Sequence, residues 1–411
     1  MRFCTQTLGC KVNQYETGAI ERILIERGHE LVAPGDGCDV CIVNTCAVTA
    51  EGDRKSRAAI RRMKRLEPSA MIAVCGCYSE LDPATVEKLD VDILYGASDK
   101  GSFISKIIST KIDFEELPPG NTASRTRAYL KIQDGCNNFC TYCIVPYLRG
   151  RSRSLPLEKV TEYAKQLGEK GYKEIVITGI EVSSYCHEEP DRLLAAICAV
   201  HAAVPNARLR LGSLQPSIMT GDFCKELSKI PNICNHFHLS LQSGCDKTLK
   251  RMGRKYTTEQ VAANMKAIRK HFPGCGITAD LIIGFPGETD DEFEQTLSFV
   301  EKAEFSDMHV FPYSARPGTK AAEMEGQIEK EIKRVRSRMV TAVAKDKALE
   351  FKKTYLEKTV EVLFERDKKG FSIGHTTNYL EVAAKPQVER NTIKTVKITA
   401  YANGVLYGEI I

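Results

Sequence analysis

Short β-branched, apolar runs alternate with amphipathic helical stretches over most of the chain, and this alternation restricts the fold more than any other feature. Up to Ile112 the runs are TQTL, DVCIVN, MIAVC, VEKLD and VDILYG, with helical patterns from Asn13 to Arg27 and through the stretch around Arg54 to Arg65. Such runs separated by helices predict a parallel sheet covered on its faces. Residues 113–127, DFEELPPGNTASRTR, lose the periodicity at Pro118-Pro119-Gly120 and read as a linker. From Ala128 to Thr319 six strand candidates recur, AYLKIQ, KEIVITG, ARLRLGS, HFHLSLQ, ITADLIIG and DMHVFPY. Six strand–helix units predict a partial (βα)6 barrel, since a full barrel needs eight. A helix from Ile328 to Lys353 leads outward, and the remaining sequence alternates as TVEVLFE, FSIGHTTNYLEVAA, TIKTVKITAYA and VLYGEII with turn signals between. That stretch predicts a small β-barrel, a module with many uses of which a structural cap on the larger barrel is the plainest. The expected class is therefore α/β, with domains at 1–112, 128–349 and 350–411 joined through the linker 113–127.

The chain contains 16 cysteines. No apolar run approaches the roughly 18 residues of a membrane span, and Met1-Arg2-Phe3-Cys4 enters strand-like sequence directly, so a cytoplasmic protein with no membrane partner is expected. Thiols in a reducing compartment stay free unless a metal or catalysis uses them, which turns attention to metal binding. The net charge of +5 is small but unevenly spread. Basic residues cluster at Arg54, Lys55, Arg57, Arg61, Arg62, Lys64 and Arg65, at Arg149, Arg151 and Arg153, and at Lys333, Arg334, Arg336 and Arg338. One such run is an ordinary solvated helix face; three beside candidate cofactor loops point to a polyanion partner.

The sharpest motif is DGCNNFCTYCIVPYLRG, which spaces Cys136, Cys140 and Cys143 as CxxxCxxC directly after the first barrel strand. Three thiolates on one short loop hold three irons of a [4Fe-4S] cluster and leave the fourth open, unlike the four-ligand closure of a zinc knuckle. Barrel topology gathers the strand ends at one mouth, which brings in Ser213, Gln242-Ser243-Gly244, Asp280 and the Gly284-Phe285-Pro286-Gly287 turn as polar pocket candidates. Earlier in the chain stands another trio, the first in sequence order: Cys10, Cys46 and Cys77, each just past a strand of the first sheet. Ends of parallel strands converge on one edge, so these thiols also suit a cluster with one open iron. Cys75 competes with Cys77 but falls inside its strand. The Cys38-Asp39-Val40-Cys41 pair has metal-like spacing, yet it enters a buried strand without a second pair and reads as packing.

At CxxxCxxC the chain resembles the radical S-adenosylmethionine superfamily, in which the open iron chelates the methionine amino and carboxylate groups of the cofactor. That resemblance implies that Tyr142 lies near the adenine and that Gly179 and Glu181 of TGIE lie near the amino group. With the first trio and the terminal small barrel included, the whole chain is similar to the methylthiotransferase family: a cluster domain, a radical barrel and an RNA-binding TRAM domain. LGCKVNQYE resembles the branch acting on N6-threonylcarbamoyladenosine at position 37 of tRNA; the N6-isopentenyladenosine branch has glutamine and methionine where this chain has Lys11 and Val12. A third branch modifies an aspartate of a ribosomal protein. Departures are Ser183-Ser184 in place of a glycine after Glu181, and Cys75 in place of a common threonine.

The resemblance implies two [4Fe-4S] clusters and two uses of S-adenosylmethionine. One molecule methylates sulfur held at the first cluster, and another yields the radical that takes hydrogen from carbon-2 of the adenine. It also implies a tRNA anticodon loop as substrate, a reductant such as flavodoxin or ferredoxin, and a sulfur donor. A non-enzymatic iron–sulfur carrier or RNA scaffold is the rival from another class; four-thiolate clusters serve such carriers better.

Overall fold

The structure, a computed structural model, describes residues 1–112, 117–120, 126–185 and 192–411. Of the 113–127 segment read as a linker, 113–116 and 121–125 lie outside the described residues.

The first unit is a five-stranded parallel sheet. Its elements run β1 (Arg2–Thr7), α1 (Lys11–Glu26), β2 (Glu30–Leu31), β3 (Val40–Thr45), α2 (Ala50–Leu66), β4 (Met71–Gly76), α3 (Cys77–Leu81), α4 (Pro83–Glu87), β5 (Ile93–Leu94) and α5 (Lys100–Ile108). VEKLD, expected as a strand, instead ends α4 at Val86-Glu87 and turns through Lys88–Asp90; the Asp82 cap and Pro83 at the first position start this short helix. The strand order is 2-1-3-4-5, a doubly wound arrangement whose winding reverses between β1 and β3. Every residue of β3 is buried because helices cover both faces. The irregular stretch 117–120 is seated on α1: the Tyr15 hydroxyl donates to the Leu117 carbonyl (2.7 Å), and Gly120 lies so close to Gly18 that a Cβ would meet its carbonyl carbon at 2.1 Å.

The second unit contains β6 (Arg127–Lys131), β7 (Gln133–Asp134), α6 (Val145–Arg149), β8 (Arg153–Ser154), α7 (Leu157–Glu169), β9 (Glu174–Thr178), α8 (Arg192–Ala203), β10 (Arg208–Leu211), β11 (Ser213–Leu214), α9 (Gly221–Leu227), β12 (His236–Gln242), α10 (Asp246–Arg251), α11 (Thr258–His271), β13 (Gly276–Ile283), α12 (Asp290–Ala303), β14 (Asp307–Pro312), α13 (Lys320–Glu323) and α14 (Lys330–Lys353). The third expected strand is broken at Gly212: β10 pairs with β9, while β11 pairs with β12. The wall reads β6-β9-β10/β11-β12-β13-β14, an open parallel barrel of the six expected units. Thr257 and Gln260 form a full capping box at the start of α11.

The last unit is a closed five-stranded barrel of β15 (Thr359–Lys368), β16 (Phe371–Thr376), β17 (Glu381–Lys385), β18 (Thr392–Ala402) and β19 (Val405–Ile410). The run FSIGHTTNYLEVAA divides into two strands because Tyr379 turns the chain with φ of 71°. Tyr379 then plugs the lower end of the central barrel, stacked between His236 and His375 at centroid distances of 4.8 and 4.7 Å. Buried Arg210 joins the units, pairing with Glu174 (2.7 Å) and donating to the carbonyls of Thr377 (2.9 Å) and Thr376 (3.1 Å). The small barrel thus caps the large one.

Candidate active site

The strand order brings the first trio of thiols together. β1, β3 and β4 are neighbours, Thr7 pairs with Asn44, and Thr45 pairs with Gly76, so Cys10, Cys46 and Cys77 leave adjacent strand ends at the switch point. Cys10 is the N-cap of α1 and Cys77 is the first residue of α3, so both sulfurs stand at helix starts. Two glycines permit the approach. Gly9 has φ of 94° and its missing Cβ would meet the Cys46 sulfur at 2.9 Å; Gly76 has φ of 108° and a Cβ there would strike Thr45 and Asn44 at 2.5 Å. Burial pushes the Cys46 thiol up to about 11, with the nearby Cys10 and Cys77 thiolates adding to the rise. Cys75 is buried in the sheet core, where Lys100 is its strongest charged neighbour.

The second trio occupies the loop after β7. The loop is built by backbone that ordinary residues rarely adopt: Gly135 has φ of 68° with the Arg151 carbonyl 2.0 Å from where a Cβ would be, and Phe139 has φ of 46°. Thr141 N–H donates to the Met252 carbonyl (3.0 Å) and its hydroxyl to the Arg251 carbonyl (2.9 Å), pinning the loop to the end of α10. Hydrogen-bond donors reach all three sulfurs: Asn138 N–H to Cys136 (3.4 Å), Arg254 Nη1 to Cys140 (3.3 Å) and the Val145 N–H to Cys143. Burial pushes the Cys143 thiol up to about 12, and the thiolates of Cys140 and Cys136 push in the same direction. A thiol that resists ionisation when metal-free and is ringed by donors fits an iron–sulfur cluster, whose iron replaces the proton and whose sulfur accepts those bonds. In neither trio do all three sulfurs lie within 4.8 Å of one another.

Arg149 lies between the two trios. It is 3% exposed, donates to Glu16 (2.7 Å), to Asp134 (3.2 Å) and to Asn13 Oδ1 (2.7 Å), and also hydrogen-bonds the Cys77 thiol. The sequence groups it with Arg151 and Arg153 as a basic patch; its burial withdraws it from any polyanion. Nothing in the local sequence separates it from its neighbours, because its partners come from α1 and β7. Arg336 is likewise buried, bound to Glu288 (2.7 Å), whereas Arg61, Arg62, Arg65, Arg151, Arg334 and Arg338 are exposed.

The expected cofactor residues fall into two groups, with Ser213 in neither. Glu181 accepts from Gln215 Nε2 (2.9 Å) and Asn138 Nδ2 (3.4 Å), and its carboxyl is raised by burial; this places it beside Cys136. Gly179 allows Gln133 to approach, since a Cβ would meet the Gln133 carbonyl at 2.9 Å. Tyr142, Gln242 and Asp280 line a cavity of about 200 Å³ together with Cys143. Gln242 adopts φ of 69° there. Ser213 opens β11 in register with His238 and lines neither principal cavity. Asp280 is bonded to His238 (3.1 Å) and His309 (3.1 Å), which hold its carboxyl well below the usual range although burial opposes them. Those two histidines face a second, larger cavity of about 530 Å³ within the barrel, lined also by Lys11, Arg127, Arg210 and Tyr379. In the sequence Lys11 is only a letter of a motif; its place in this lumen depends on the docking of α1 on the barrel.

Comparison with known proteins adds the lineage. The profile of the Radical SAM superfamily matches residues 130–300, and that of the Uncharacterized protein family UPF0004 matches residues 2–96. Threonylcarbamoyladenosine tRNA methylthiotransferase MtaB of Bacillus subtilis is 39% identical over 98% of this chain and 94% of its own length. The chain belongs to the radical S-adenosylmethionine methylthiotransferase family. MtaB of Chlamydia pneumoniae is 38% identical over 98% of this chain and 97% of its own length. A tRNA-2-methylthio-N(6)-dimethylallyladenosine synthase of Acetivibrio thermocellus is 33% identical over 88% of this chain and 80% of its own length. Among solved structures, the radical S-adenosylmethionine methyltransferase TsrM of Kitasatospora setae superposes with a TM-score of 0.57 at 17% identity, covering 78% of this chain and 77% of that one, a likeness of fold. As a member of this family the protein is a radical enzyme that uses a [4Fe-4S] cluster and S-adenosylmethionine. No helix of the described residues is long and apolar enough to cross a membrane.

Proposed function

We propose that this methylthiotransferase adds a methylthio group to carbon-2 of N6-threonylcarbamoyladenosine at position 37 of tRNA, in the cytoplasm. The observation that carries the substrate reading is Lys11. Its ammonium faces the barrel cavity with no hydrogen bond or ion pair among the described residues, near Arg127 and Arg210, which are paired with Glu365 and Glu174, and near the Asp280 carboxylate. A threonylcarbamoyl group ends in a carboxylate, which such a wall attracts, whereas a dimethylallyl group offers nothing for the charge to bind.

Cys136, Cys140 and Cys143 would hold the radical cluster, and Cys10, Cys46 and Cys77 a second one. When bound, the clusters and S-adenosylmethionine supply the sulfur, the methyl group and the radical. The chain's own residues orient and exclude. Glu181 and its Gln215 and Asn138 partners offer an acceptor for the cofactor's ammonium beside Cys136, while Tyr142, Gln242 and Asp280 shape the pocket beside Cys143. Arg149 balances thiolate charge at Cys77 and holds the cluster loops of both domains in one network. The target base must leave its stack, which a single-stranded anticodon loop permits. Exposed arginines of α2 and α14, with the terminal barrel as a TRAM domain, would hold phosphates. Reduction and sulfur supply require separate partners: an electron carrier such as flavodoxin or ferredoxin, and a sulfur donor.

Mass spectrometry of tRNA nucleosides from a deletion strain tests the reading. The methylthiolated threonylcarbamoyl nucleoside disappears and its unmethylthiolated precursor accumulates; survival of that nucleoside with loss of the dimethylallyl counterpart would overturn it.

A further inference from the structure

Three cysteines outside the active site converge at the opposite end of the first sheet. Cys4 of β1 and Cys41 of β3 are direct register partners in parallel strands, so their side chains leave the same face. Cys38, in the loop before β3, folds back onto them. The sulfurs form a nearly equilateral triangle: 3.4 Å between Cys4 and Cys41, 3.5 Å between Cys4 and Cys38, and 3.6 Å between Cys38 and Cys41. Among the described residues this is the only group of cysteines whose three sulfurs all lie within 4.8 Å of one another.

The loop that delivers Cys38 is held in place through its backbone. Gly35 and Gly37 take φ of 105° and 78°, and the Glu67 carboxylate accepts from the N–H groups of Gly35 (2.7 Å), Gly37 (3.1 Å) and Cys38 (3.2 Å). A tight glycine turn clamped in this way, followed by a CxxC pair and closed by a third cysteine from a neighbouring strand, has the form of a metal-binding knuckle. Zinc bound to sulfur at about 2.3 Å with tetrahedral angles sets its thiolates about 3.8 Å apart, within about 0.4 Å of every side of this triangle. Packing alone needs neither the clamp nor the third thiol, and a disulfide uses two sulfurs and strands the third.

We propose that Cys4, Cys38 and Cys41 bind one thiophilic d10 cation, zinc(II), at a three-thiolate site separate from the iron–sulfur chemistry. No imidazole or carboxylate of the described residues joins the trio, so the fourth position takes water or a small thiol. Cys4 and Cys41 are buried while Cys38 is partly exposed, which provides the entry path. Binding displaces the thiol protons and fastens β1, β3 and the intervening loop at the end of the sheet remote from Cys10 and Cys46.

The test uses full-length protein purified anaerobically with its iron in place, exposed to zinc and then dialysed. Elemental analysis should find one zinc per chain, and X-ray absorption at the zinc edge should show three sulfur neighbours. Cys38→Ser and, independently, the volume-conserving Cys41→Val should each remove that zinc while leaving iron content and 5′-deoxyadenosine formation unchanged. The proposal is overturned if wild type retains no zinc, if both variants retain as much as wild type, if iron departs together with zinc, or if thiol titration of the unreduced protein shows a disulfide within the trio. Because the readout is zinc rather than tRNA product, its failure is distinct from failure of the proposed activity.

Discussion

Arg149 is a buried cation surrounded by acceptors: Glu16, Asp134 and Asn13 engage its Nη1 and Nη2, and the carboxylates are themselves buried. Such a group contributes little relative to an apolar filling, yet removing one partner leaves charges stranded in low dielectric. Arg149→Ala should therefore destabilise the protein by about 3–5 kcal/mol and lower the thermal midpoint, with Arg149→Lys intermediate because one ammonium cannot serve three acceptors. Differential scanning calorimetry distinguishes the two variants, and equal midpoints for wild type and Arg149→Ala would refute the role. Lys11 is the opposite case, a cation that faces a cavity without an ion-pair partner among the described residues, and burial followed by Arg127 and Arg210 lowers its pKa against the opposing effect of Asp280. Lys11→Gln should raise KM for threonylcarbamoyladenosine-bearing tRNA by roughly 10- to 100-fold, the equivalent of about 1.5–3 kcal/mol for a charged hydrogen bond. Substrate-free 5′-deoxyadenosine formation should stay unchanged. The sign of the pH effect follows: the carboxylate interaction is present while Lys11 is protonated and disappears as pH rises through its lowered pKa. Wild-type KM therefore climbs at alkaline pH earlier than an ordinary lysine would require, and the Lys11→Gln profile is flat there.

Among the elements, the first cluster trio depends on how three strands hand over to their helices. The turn after β1 and the end of β4 place glycines at positive φ, and the thiols follow at helix starts. Gly9→Ala forces a Cβ to within 2.9 Å of the Cys46 sulfur as well as imposing left-handed backbone on alanine. Iron analysis of that variant should show loss of the iron held by the first trio, while the CxxxCxxC loop still supports 5′-deoxyadenosine formation; full iron retention would separate Gly9 from cluster binding. The break of the third barrel strand at Gly212 acts in a similar way. It lets one strand pair with β9 over its first half and with β12 over its second, which curves the wall without closing it.

Across the whole molecule, the terminal barrel has a visible structural task in closing the lumen through Tyr379 and the Arg210 clamp, besides the RNA binding proposed for it. The two tasks separate experimentally. Neutralising exposed arginines such as Arg61, Arg65 and Arg338 should weaken tRNA binding and reduce the slope of log K against log salt by roughly one for each phosphate no longer neutralised, leaving the thermal midpoint in place. A filter-binding titration at several salt concentrations measures this, and an unchanged slope would remove those helices from the interface.

The chemistry and the periods are already written in the order of residues: the CxxxCxxC spacing, the three cysteines after strands, six strand–helix units and a final β-rich module are all local patterns. Local patterns are legible because spacing along a strand, a helix or one loop is set by backbone geometry within a few residues. Which strands become neighbours is a matter of tertiary packing, and the remaining features follow from it. Packing gathers Cys10, Cys46 and Cys77 at one switch point, buries Arg149 among partners from α1 and β7, and turns Lys11 into the barrel lumen. It also draws Cys4 across to the Cys38–Cys41 pair, which the sequence alone presents as packing. Those associations join residues far apart in the chain, and their free energy comes from docking whole elements, a quantity no single stretch of sequence contains.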